Sequence, residues 1–167
     1  MPEKNMFETG GRLGKRFIMI SLIYFIIGTL WMGPFGILIS GPSGLAGTVY
    51  DTGRLHFVFI GFIAFFLIGI AYYIAPRLGS RSLYSERLGT IHFWATNILF
   101  PIGALLFVLI SFVFQTVINS PTFSPATLPP GLLTVYLLVL IIMFVGIGFQ
   151  GVLAYNIFMT MRRNPVP

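Results

Sequence analysis

Residues 132–159, LLTVYLLVLIIMFVGIGFQGVLAYNIFM, run for twenty-eight positions without an aspartate, glutamate, lysine, arginine or histidine. In a helix, about 20 such residues rise roughly 30 Å, the thickness of a bilayer's hydrocarbon core. The stretch therefore predicts a transmembrane helix. Three similar stretches precede it: Phe17 to Ile39, Leu55 to Ala75, and Ile91 to Gln115. The connections read as loops: Ser40 to Arg54 is rich in glycine and proline, Pro76 to Thr90 carries three arginines, and Thr116 to Gly131 has four prolines and no charge. These features predict an all-α membrane protein of four transmembrane helices. It comprises a short N-terminal segment (1–16), a transmembrane domain (17–160) and a tail (161–167).

Composition agrees. With 56% hydrophobic and 8% charged residues, a water-soluble fold of 167 residues would lack the polar material to cover its surface. The apolar run after the basic N-terminus is long and has no small-residue cleavage site, so it reads as a retained span rather than a signal peptide. Of ten lysines and arginines, nine (Lys4, Arg12, Lys15, Arg16, Arg77, Arg81, Arg87, Arg162 and Arg163) fall on one side of the predicted topology, and only Arg54 on the other. The positive-inside rule then predicts both termini and the loop after the second span to be cytoplasmic, in a multi-pass protein of the cell membrane. The net charge of +6 sits in small groups at helix ends, where it meets anionic headgroups of the lipid bilayer, and nucleic-acid binding is not expected.

Several chemistries are excluded. Without cysteine there are no disulfides, thiolate metal sites or thiol catalysis. No Walker loop, dinucleotide fingerprint, HExxH or nucleophile elbow is present. Glu3, Glu8, Asp51 and Glu86 all lie outside the spans, which disfavours a transporter built on a buried acid.

The candidates that remain are few. His56 opens the second span toward its outer face and His92 opens the third toward the cytoplasmic face, so one chain cannot bring both to one metal. Neutral imidazole is a common ligand of haem iron, and Gly61 and Ala64 further down the same span would let a flat porphyrin lie against it. A lone interfacial histidine also serves as a headgroup-level polar group, and from composition alone both readings stand. His92, followed by Phe93 and Trp94, reads as part of an interfacial belt, as do Tyr72 and Tyr73. Asn97, Gln115, Gln150 and Asn156 read as interhelical hydrogen-bonding groups. The glycines within or near the spans, Gly28, Gly33, Gly36, Gly69, Gly103, Gly146, Gly148 and Gly151 among them, read first as sites of close helix packing.

The segment RLHFVFIGFIAFFLIGIAYYIAPRLGSRSLYSERLGTIHFWATNILFPIGALL, Arg54 to Leu106, resembles the early helices of subunit I of the haem-copper oxidase superfamily, which includes the large subunit of nitric oxide reductases. There a helix opens with a histidine at the outer face, runs through glycines and ends in a Tyr-Tyr…Pro-Arg-Leu sequence, matched here by His56, Gly61, Gly69, Tyr72, Tyr73, Pro76, Arg77 and Leu78. His92, Phe93, Trp94 and Asn97 match the start of the next helix. The resemblance implies an oxidase-subunit-I-like bundle and a low-spin haem b with His56 as one axial ligand. The family's second low-spin ligand, high-spin ligand and copper-binding histidines come from later helices without counterpart here, so no oxygen- or nitric-oxide-reducing centre is expected from one copy. A second iron ligand would come from a second copy, from another membrane redox subunit, or from Met32, read as the one methionine at the right depth. The functional expectation is a haem-binding membrane subunit passing electrons from a quinol or an external donor to a redox partner. The alternative is a cofactor-free structural or assembly subunit of a membrane complex.

Overall fold

The computed structural model describes residues 6–32, 53, 55–118 and 130–165, and the regular structure among them is helical. Four helices are long and apolar enough to cross a membrane: α1 (Met6–Met32), α2 (Phe57–Ile74), α3 (Glu86–Ile118) and α4 (Pro130–Arg162). The chain is a multi-pass membrane protein whose spans contact the lipid bilayer. A 3-10 turn, Arg77–Gly79, follows α2. The first half of α2, Phe57–Ala64, is π-helical, a local widening found often beside functional sites.

α1 starts at Met6, well before the apolar stretch at Phe17. The reason is tertiary. In GGRLGKR, Leu13 is buried and Gly10 and Gly14 face α2: a Cβ on Gly14 would lie 2.6 Å from the Gly69 carbonyl oxygen, and one on Gly10 2.8 Å from Pro76. These residues belong to the packed bundle, not to a free tail. Gly28 repeats the contact against Val58 at the other end of the pair. Small residues that let backbones touch are the usual basis of helix association in lipid, where apolar burial alone gives little.

Aromatic rings fill the space between α1, α2 and α3. Phe17, fully buried, stacks on Tyr72 with ring centroids 5.6 Å apart and meets Phe93 edge-on at 5.0 Å. Toward the other end Tyr24 packs edge-on against Phe65 and Phe100. α4 packs along α3 and makes no comparable contact with α1 or α2. Its arginine-bearing end is clamped by polar contacts. Asn156 accepts a hydrogen bond from the Ser85 N–H and donates one to the Ser85 carbonyl (3.0 and 2.9 Å), while Thr160 accepts from the Tyr84 N–H (2.9 Å). Arg77 and Arg163 lie over the Tyr73 and Tyr84 rings at the same end.

Because the Gly14 contact is with a backbone oxygen that no rotamer can move, Gly14→Ala should drive α1 and α2 apart at an overpacking cost of about 1–3 kcal/mol. Gly148→Ala, whose Cβ meets open space, should be neutral or slightly stabilising. Thermal denaturation in detergent, read by tryptophan fluorescence or circular dichroism, separates the two.

Candidate functional site: an apolar cleft between α2, α3 and α4

Since α4 leans on α3 alone, a cleft remains between it and α2, with α3 as its floor. The cavity measures about 430 Å³, within the usual range for small-molecule and cofactor pockets. His56, Ile60 and Ala64 line it from α2, Phe100, Gly103 and Phe107 from α3, and Ile142, Met143 and Gly146 from α4. At the end nearer the arginines it terminates in two polar side chains, Thr96 and Gln150.

His56 is half-buried with its ring centroid 5.1 Å from that of Phe107, so its imidazole is seated among apolar groups at the cleft wall. Ala64 lines the same cleft two turns further on. Gly61 turns the other way: a Cβ there would meet Tyr24 at 2.8 Å and the Phe100 ring at 3.0 Å, and the glycine serves the packing of α1 and α3 on α2. The glycine that opens the cleft is Gly146 on α4, where an added Cβ meets nothing within 4 Å. The side chains of Met32 and Gln115 and the whole of Gly33 and Gly36 lie outside the described residues.

His92 does not face outward. It is wholly buried, with Phe17 5.3 Å from its ring, and Tyr72, expected in the same belt, is wholly buried beside it. Its Nε2–H donates to Gln150 Oε1 (3.3 Å) and its Nδ1 accepts from the Tyr72 hydroxyl (3.2 Å), an arrangement that suits the neutral ring. Trp94 does face outward, 57% exposed. The belt reading failed for His92 and Tyr72 because Phe17 of α1 packs over both rings. Asn97 and Gln150 do bond between helices, Asn97 Oδ1 accepting from the Tyr24 hydroxyl at 3.2 Å, and Asn156 bonds the Ser85 backbone just before α3. Thr96, 7% exposed, has a buried Oγ1 with no hydrogen-bond partner.

His56 and His92 stand apart, as their sequence placement required. Gly53, just before α2, packs against Ala104 and Phe107, so His56, three residues on, sits near the depth of Gly103, about 16 Å along α3 from His92. Among the described residues no group of three or more His, Cys, Asp or Glu side chains gathers to hold a metal ion.

Met143 is the cleft residue that sequence reasoning missed. Counted from Leu132, it falls deep in its span. However, α4 is 33 residues long, about 50 Å, and overshoots a 30 Å hydrocarbon core by several turns. The signal available in sequence was the distance to Arg162: nineteen residues, or about 28 Å, one residue short of the twenty, about 30 Å, that separate Phe107 from Arg87.

The fold and cleft define an all-helical, multi-pass membrane protein with an apolar, histidine-bearing pocket. Compared with protein-family models, curated proteins and solved structures, the chain matches none.

Asn156→Ala leaves the Ser85 N–H without its acceptor, while the Ser85 carbonyl keeps the Gly89 N–H, and should cost about 1–3 kcal/mol. Because the clamp is remote from His56, unfolding in detergent should shift while the spectrum of any bound chromophore stays unchanged.

Proposed function

We propose that this chain is a haem b-binding membrane subunit that carries electrons within a redox complex. The observation that carries the reading is the single imidazole, His56, on the wall of a 430 Å³ apolar cleft held open by Gly146. The donor set suits the group: imidazole nitrogen is a standard axial ligand, Phe65, Phe100 and Phe107 supply apolar faces, and the residues lining the cleft include no carboxylate. The resemblance of Arg54 to Leu106 to the oxidase subunit-I helices, with His56 at the position of a low-spin ligand, supports the same assignment.

When bound, haem supplies a one-electron ferric–ferrous couple. The chain's part is to position and insulate it. His56 would hold the iron, and the phenylalanines lining the cleft would exclude water and lower the dielectric around it. With the arginine-bearing end cytoplasmic by the positive-inside count, His56 lies toward the outer leaflet, within reach of a quinol or an external donor. A redox partner subunit would take the electron onward.

Purified from haem-replete cells, the protein should give a reduced-minus-oxidised b-type spectrum and a pyridine haemochrome, both lost in His56→Ala. Gly146→Leu, which projects a side chain into the cleft from a position whose Cβ meets nothing within 4 Å, should lower haem content while the fold survives. A colourless, well-folded wild-type preparation would favour the cofactor-free structural subunit instead.

A further inference from the structure

We infer that the thioether of Met143 is the second axial ligand, facing His56 across the cleft from α4; this rests on the haem reading above.

The first ground is chemical. Haem iron in proteins is held by imidazole, thioether, thiolate or phenolate donors. The chain has no cysteine, and no tyrosine lines the cleft, so among the described residues His56 and Met143 are the cleft's two donors of those kinds. Thr96 and Gln150 offer only oxygen and amide groups at the other end.

Depth is the second ground. A Cβ on Gly53 would lie 2.9 Å from the Ala104 carbonyl oxygen and 3.2 Å from Phe107 Cβ, which ties the start of α2 to that turn of α3. Three residues on, about 4.5 Å toward the arginine-bearing end, His56 reaches the depth of Gly103. A Cβ on Gly103 would lie 3.5 Å from Ile142 Cγ2, and Met143 is the next residue on α4. Both donors therefore stand within about one helical turn of the same depth.

Direction is the third. α2 and α4 run the same way, and helical side chains lean toward their own N-terminus, so both lean along the cleft in the same sense from opposite walls. Methionine has three rotatable bonds and is 42% exposed here, leaving its sulfur free to adjust, and a neutral thioether adds no charge to a lipid-facing site. Ligation from both walls ties α2 to α4, which share little packing, and completes the site within one chain.

The full chain, purified with haem, is examined beside Met143→Leu and Met143→His. The wild type should be low-spin, with the far-red sulfur-to-iron charge-transfer absorption in the ferric state and no carbon monoxide binding in the ferrous state. Met143→Leu should lose that band and bind carbon monoxide. Met143→His should return to low spin with a lower midpoint potential, because thioether ligation raises it. Wild-type haem whose spectrum and potential are unchanged in both variants would overturn the inference and leave the haem reading intact, whereas wild-type protein without haem would overturn both. Should Met143→Leu fail to fold, the band and potential of Met143→His decide alone.

Discussion

Gly14 and Gly69 bring the backbones of α1 and α2 so close that a single added methyl group would collide with a carbonyl oxygen. In lipid this is the strongest kind of constraint available, because burying an apolar side chain against a neighbour gains little over leaving it in hydrocarbon. With the two helices joined along their length, from Gly10 beside Pro76 to Gly28 beside Val58, their aromatic side chains have one shared face on which to stand. Phe17, Tyr24, Phe57 and Phe65 occupy it, and α3 closes over them with Phe93 and Phe100.

α4 is a different case. Its exposed positions include Leu133, Phe144, Ile147 and Phe158, and Gly146, Gly148 and Gly151 meet no neighbour. Three α4 polar side chains anchor it toward its arginine-bearing half: Gln150 to His92, Asn156 to Ser85 and Thr160 to Tyr84. Hydrogen bonds between helices in a bilayer average well under 1 kcal/mol each by double-mutant cycle, so several together are needed to define one position. Beyond Gln150, toward Pro130, Ile142 packs against Gly103 of α3, and the cleft opens there.

A cleft formed in this way suits an apolar guest. Its walls demand no polar partner except near Thr96, and a guest that touches both α2 and α4 joins elements the chain leaves apart. Whatever binds the assembled bundle alone stabilises it by mass action, by about 2.7 kcal/mol at a hundredfold excess over its dissociation constant. His56 makes an iron-bearing guest the specific proposal, since imidazole is a common ligand of haem iron and this one stands beside Phe107 on the cleft wall.

The four spans, the arginine-bearing end and the isolation of His56 from His92 were legible in the residues themselves, because bilayer thickness and the cost of placing charge in hydrocarbon act on each segment separately. So were Asn97 and Gln150 as interhelical groups, for which hydrocarbon offers no other partner. The helical extension of α1 to Met6, the burial of Tyr72 and His92, the engagement of Gly61 in packing and the arrival of Met143 beside the cleft were decided by tertiary structure. Each depends on how far one helix slides along another, and that offset is set by contacts such as Gly53 on Ala104 and Gly103 on Ile142. A linear pattern carries no record of it.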